Sequence, residues 1–240
     1  MNSKLKLGIV IAFIGLFVGF SSPLLAKKYI TAKGDLVKKE FKIKSFDAID
    51  FSSAFDIELT QGNSESIVIE VYENIMEHVV VEVVGGTLKV RTKGNLRNVK
   101  TMRAYVSFKM INEIELSGAC DLKGMNKFEL KDFDLDLSGA SEVKLNFDAN
   151  EVNIESSGAS EIKLMGSAGN LEIDISGAAE INTLDLLVDN VILDASGACE
   201  AKVYAGKDLR VDASGACSVR YKGSPSVSLD SSGASSIRRY

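Results

Sequence analysis

A Ser-Gly-Ala triplet recurs seven times between Ser117 and Ala234, each time inside the same apolar frame. Its glycines are Gly118, Gly139, Gly158, Gly177, Gly197, Gly215 and Gly233, at gaps of 21, 19, 19, 20, 18 and 18 residues. A period near 19 is too short for a two-helix repeat and suits one turn of a stacked β-coil. The expected fold is therefore all-β: a single-stranded β-solenoid, or β-helix, of roughly 19-residue coils with a Ser-Gly-Ala ladder at one corner. The common hand of parallel β connections makes right-handed winding the expectation. Such a rod presents long repeated surfaces and needs no catalytic pocket.

Strict alternation of apolar and polar residues runs through the triplet. One parity reads Val152, Ile154, Ser156, Gly158, Ser160, Ile162, and the next copy reads Leu171, Ile173, Ile175, Gly177, Ala179, Ile181. Side chains of one parity share a face, so this set is expected to point inward, glycine included. Thirteen extended residues would span about 43 Å, which a coil of this length cannot close, so the chain must bend at Ser-Gly-Ala. Glycine suits an inward corner without room for a side chain. The serine precedes the glycine and repeats in every coil, which is a lattice and not the strained strand-to-helix turn of a nucleophile.

The other parity forms outward columns. Glu115, Asp136, Glu155, Asp174, Asp194, Asp212 and Asp230 make an unbroken acidic column before the triplet, with Glu113, Asp134 and Glu172 beside it and Arg210 as its base. After the bend, Asp121, Glu142, Glu161, Glu180 and Glu200 stand next to Lys123, Lys144, Lys163, Lys202, Arg220 and Arg238, so this face can neutralise itself. In the first column neighbouring carboxylates about 4.8 Å apart repel by about 0.9 kcal/mol in water. A solvated face carries that. The sharper reading makes Asp136, Glu155, Asp174, Asp194, Asp212 and Asp230 a weak Ca²⁺ face, since hard oxygen ligands suit that ion. No other cofactor is implied.

Cys120, Cys199 and Cys217 share the inward position after the triplet's alanine. Cys199 and Cys217 are one coil apart, and a disulfide between them is the alternative to three buried small residues; Ser and Ala elsewhere in the column favour the latter. The sequence has no CxxC pair and a single histidine, His78, read as structural, so no metal site is assigned.

Residues 1–26 have the pattern of an export signal: Lys4 and Lys6, an apolar run from Leu7 to Phe20, then a stretch ending at Ala26. An uncleaved membrane anchor is the alternative. No cysteine near residue 26 offers a site for lipid attachment. Without this segment 26 bases face 33 acids, a net charge of about −7, which disfavours nucleic acid and anionic membrane surfaces as partners. Membrane contact is thus expected only through the uncleaved segment.

The remaining organisation is an irregular N-terminal β part of the solenoid over residues 36–112 and regular repeats over 113–240. Val79–Val84, Gly85, Gly86 and Thr87–Val90 read as a hairpin, residues 73–77 as a helical turn, and 93–102 as a basic loop. The segments FDAIDFSSAFDIELTQG (46–62) and GGTLKV (85–90), followed by the SGAS-type repeats, resemble the head GIN domain family of autotransporter adhesins, exported β-helical proteins of bacteria. The resemblance covers residues 40–237. It implies a β-helix in the cell envelope and transfers no binding residues. The chain ends at Arg238, Arg239 and Tyr240 just after the last repeat, without a membrane barrel, so self-transport is not expected.

These features point to a non-enzymatic exported protein of the periplasm, outer membrane or cell surface that uses its ladder faces to bind an envelope or extracellular protein or glycan, as in adhesion. A self-associating envelope scaffold is the alternative, because solenoid ends expose strand edges. A carbohydrate-active β-helix enzyme is the third class. Its sites need one irregular cluster of acids and bases, whereas these acids repeat with little local irregularity.

Overall fold

The computed structural model describes residues 29–240, so the export segment lies outside the described residues. Among the described residues no helix is long and apolar enough to cross a membrane. Each rung of the rod contributes one strand to each of two parallel stacks. The first stack runs from Ala48–Ser53 through Glu113–Gly118 and Asp132–Gly139 to Asp208–Ala213 and Ser226–Ser231, always in register. The second runs from Asp56–Gln61 through Asp121–Gly124 to Ser218–Gly223 and Ser236–Arg239. The expected β-solenoid is what the chain forms.

Two bends close each rung, and in the middle of the rod only one breaks the strand, whereas Glu200–Ala205 and Asp208–Ala213 are separate strands. Glu142–Ser156, Glu161–Gly177 and Glu180–Gly197 pass unbroken from the second stack of one rung into the first stack of the next. The interruption falls at Ser-Gly-Ala, where the alternation demanded a bend. Inward residues such as Val152, Ile154, Ile162 and Leu164 are buried, while Glu151, Asn153 and Glu155 are exposed. Bulky rings fill the core of the rungs up to Phe147, with edge-on pairs Phe51–Phe55, Phe108–Phe128 and Phe133–Phe147 at centroid distances of 5.6, 5.0 and 5.5 Å.

The corner glycines depart from the inward reading. Ser160 and Ala179 are buried as expected, but Gly158 and Gly177 are half-buried and Gly118 and Gly197 are exposed. What excludes a side chain is the backbone of the neighbouring rung. A Cβ on Gly158 would lie 2.1 Å from the carbonyl oxygen of Gly139. That oxygen accepts the N–H of Ala159 at 2.8 Å. The pattern repeats along the rod: Ala140 donates to Gly118, Ala178 to Gly158 and Ala216 to Gly197. The triplet is thus a backbone hydrogen-bond ladder stacked too closely for a Cβ.

The N-terminal rungs are stacked out of chain order. Thr87–Thr92 and Met102–Phe108 pair in parallel with Ala48–Ser53 and Asp56–Gln61, on the side away from Glu113–Gly118. Antiparallel strands continue beyond them. Ser66–Tyr72 pairs with Met102–Phe108, Leu36–Phe41 with Ser66–Tyr72, and Val79–Val84 with Thr87–Thr92. The last pair is the expected hairpin, turned by Gly85 and Gly86 at φ of 61° and 90°. The helical turn is Glu73–Met76, and His78 follows it, donating its backbone N–H to Ile75. Gln61 ties the excursion to the rod: its side chain donates to the carbonyls of Lys109 and Glu129 at 3.0 and 3.1 Å and accepts from the Glu129 N–H at 2.7 Å.

Candidate functional site: the acidic ladder

In a strand the outward residue of each rung sits beside its equivalent in the next, so register decides whether the acids form a column. Asp136 pairs with Glu155, Glu155 with Asp174, Asp174 with Asp194, Asp194 with Asp212, and Asp212 with Asp230. All six candidates therefore share one line on the first stack, and Glu115 extends it. Asp50 adds a further rung beside Glu115. Sequence reading left Asp50 out because its corner reads Ser52-Ser53-Ala54 in place of Ser-Gly-Ala. The signal was present in the frame: Asp50-Phe51 precedes that corner as Glu115-Leu116 precedes the next.

The column is terminated by a base. Lys89 Nζ lies 2.7 Å from Asp50 Oδ2, and this hydrogen bond, with Asp50 and Glu115 nearby, holds the ammonium above its ordinary pKa. Farther along, Glu113, Asp134, Asp136, Asn153, Glu155, Glu172 and Asp174 line an open groove of about 500 Å³. Partial burial and the carboxylates of Glu155, Glu113, Asp134 and Glu115 push Asp136 above the usual aspartate range. The Asn153 amide donates to Asp134 at 2.8 Å, a partial relief on the flanking column. Next to the acids run the corner serines: Ser138, Ser157 and Ser176 line the same face, and Ser196 and Ser214 join Asp194, Asp212 and Arg210 on the following rungs.

The second stack behaves differently. Lys144 pairs with Glu142, and Lys202 lies 3.4 Å from Glu180 and 3.1 Å from Glu200, bridging two rungs. Arg220 reaches Glu200 at 3.8 Å. One face thus cancels its charge and the other accumulates it. Among the described residues no three His, Cys, Asp or Glu side chains converge to hold a metal ion. The acidic column spreads its oxygens along a line.

The inward column beside the corner holds a covalent link. Cys199 and Cys217 are joined by a disulfide, with Cα atoms 4.6 Å apart. The expectation of separate small residues is corrected, because stacking of successive rungs places equivalent Cα atoms inside the range a disulfide spans. Cys120 is buried and free, and burial raises its thiol pKa.

Fold and face together define a class: a parallel β-solenoid with one acid-lined face and one self-neutralised face. The chain belongs to the family described as putative auto-transporter adhesin, head GIN domain, whose model matches residues 45–225. Among solved structures it is similar to a putative adhesin from Bacteroides fragilis, at 24% identity and a TM-score of 0.85, covering 88% of this chain and 100% of that one. It is also similar to a putative adhesin from Parabacteroides merdae, at 20% identity and a TM-score of 0.68, covering 90% and 100%. At these identities the likeness speaks for the fold. No functionally curated protein matches the chain.

Proposed function

We propose that this chain is a non-enzymatic, exported adhesin-like protein that binds a protein or glycan bearing positive groups along its acidic ladder. The observation that carries the reading is the asymmetry of the two stacks. Carboxylates run in unbroken register from Asp50 to Asp230 on one, while Lys144, Lys202 and Arg220 neutralise the other. Maintaining a line of like charge works against stability, so a face that could have been neutralised in the same way and is not suits recognition of a cationic surface. The family name supports adhesion. Export is supported by the signal-like residues 1–26 and by the Cys199–Cys217 bond, which suits an oxidising compartment. Absence of catalysis is supported by the repetition of the acids, which leaves no single rung distinct enough to be a reaction centre.

The test is binding of purified protein to arrays of glycans and extracellular matrix proteins, wild type against Asp136→Asn/Glu155→Gln/Asp174→Asn/Asp194→Asn. Binding that is lost in the variant and weakened by salt supports the reading; equal binding by both proteins overturns the assignment to this face. A self-associating scaffold is favoured by one observation. On the outermost described rung the core-column residues Val227 and Leu229 are 48% and 42% exposed. Light scattering that shows concentration-dependent growth would select that reading, and monomers at every concentration would remove it.

A further inference from the structure

The net charge hides a strong segregation. Residues 29–44 and 89–109 hold twelve Lys and Arg against two acids, Asp35 and Glu40, whereas residues 45–88 hold nine acids and no Lys or Arg. The fold brings the two basic segments together at the N-terminal end of the rod. Tyr29–Thr31 pairs in parallel with Asn95–Arg97. The Asn74 side chain accepts from the Lys33 N–H at 2.7 Å and donates to the Thr31 carbonyl at 2.9 Å, which holds residues 31–33 against the helical turn.

Some of this basic charge is taken up on the flanks of the rod. Lys38 and Arg103 pair with Glu70, Lys89 with Asp50, Arg91 with Glu82, and Lys109 with Glu65. Lys33, Lys39, Lys42, Lys93, Arg97 and Lys100 are exposed and have no carboxylate within 4.0 Å among the described residues. The acids at the same end are Asp35, Glu40, Glu73 and Glu77, four against six. Tyr29 and Leu36 stand exposed among these cations. The Arg97 guanidinium lies 5.6 Å from the Tyr29 ring centroid, and Lys39 Nζ lies 4.6 Å from that of Phe41. Unpaired cations next to exposed aromatic and aliphatic groups are what a phosphate-lined lipid interface recognises. In the sequence this end also follows on the signal-like segment that ends at Ala26, with Lys27 and Lys28 between.

We propose that the basic end docks on an anionic phospholipid surface, so that the rod stands on the membrane with its acidic ladder held away from it. The ladder itself enforces the orientation, because a rod lying on its first stack would press a column of carboxylates against lipid phosphates. This inference concerns where the molecule sits and stands whatever the acidic face binds.

The test uses protein purified in the N-terminal form that the expressing cell leaves. It is floated with phosphatidylcholine vesicles with and without phosphatidylglycerol, at low and high salt. The readout is the ratio of anionic to neutral flotation, which discounts any insertion of an apolar N-terminus. One variant combines Lys33→Gln, Lys39→Gln, Lys42→Gln, Lys93→Gln, Arg97→Gln and Lys100→Gln. An equal-charge control combines Lys123→Gln, Lys144→Gln, Lys163→Gln, Lys207→Gln, Arg220→Gln and Lys222→Gln. The ratio is expected to fall at least about tenfold in the end variant, to fall with salt, and to persist in the control. A wild-type ratio near one, an equal loss in both variants, or capture by soluble heparin without capture by vesicles overturns the proposal. Melting curves verify folding; if the sixfold variant unfolds, the loop set Lys93→Gln, Arg97→Gln and Lys100→Gln is read in its place.

Discussion

At the residue scale the corner glycine and the ladder carboxylate make opposite demands. A Cβ on Gly158 meets a backbone carbonyl that is already hydrogen-bonded to Ala159, so neither rung can give way without losing that bond. Gly158→Ala should therefore destabilise by about 1–3 kcal/mol in urea denaturation, and an unchanged midpoint would contradict the stacked-backbone account. Ser53 is the instructive exception. It occupies the glycine position of its own rung at φ 113°, yet its hydroxyl lies 2.9 Å from the Thr92 hydroxyl of the rung beneath. That lower rung lacks the corner, so a side chain finds room. Ser53→Gly should change stability by less than about 1 kcal/mol, relief of the left-handed backbone offsetting the lost hydrogen bond.

Asp136 tests the electrostatics. Its folded pKa is raised, so its contribution to stability is fully present below the unfolded value of 3.8 and is lost as the pH rises through the folded value. At neutral pH the charged Asp136 is a net cost. Asp136→Asn should stabilise the fold at pH 7 by about 0.5 kcal/mol or less after solvent screening, read as a small rise in melting temperature, and the advantage should disappear in acid. Glu70 has the opposite sign. Its carboxylate is held low mainly by the Tyr105 hydroxyl at 2.6 Å, so its contribution is present above the ordinary glutamate range and is lost as the pH falls.

At the element scale the repeated strands were legible because period, alternation and register are one constraint. Once the triplet sets the rung length, every outward acid of the regular part must align. The N-terminal strands were legible only as strands. The hairpin at Gly85 and Gly86 and the turn at Glu73–Met76 are local and could be read from local chemistry. Placing Thr87–Phe108 on the far side of the 48–61 rung depends on long-range pairing that no local signal encodes. The disulfide lies between these cases. Stacking made the bond geometrically available, but Ser and Ala in the same column argued against treating the position as special. The bond closes a loop of one rung near the C-terminal end, so Cys199→Ala/Cys217→Ala should cost about 3 kcal/mol on the chain-entropy model. Intact-mass analysis with and without reductant provides the check, since a protein without the bond would show no gain of two hydrogens on reduction.

For the whole molecule, overall composition and the distribution of charge point to different partners. A negative net charge disfavours a membrane surface as partner, yet the charge is divided between a basic end and an acidic shaft. The two segments forming that end are more than 40 residues apart in sequence, and long-range contacts such as the pairing of Tyr29–Thr31 with Asn95–Arg97 and the stacking of Lys38 on Tyr105 join them. The acidic ladder, by contrast, was readable almost entire, lacking only Asp50. With the proposed lipid-docking end and cation-binding face, the molecule would be organised for display from a surface. The most direct test is protease treatment of intact cells expressing the tagged full chain, with a periplasmic marker and a lysed-cell control. Rapid loss of the protein from intact cells while the marker survives is the predicted result. Protection until lysis would contradict display and leave a binding protein or scaffold enclosed within the envelope.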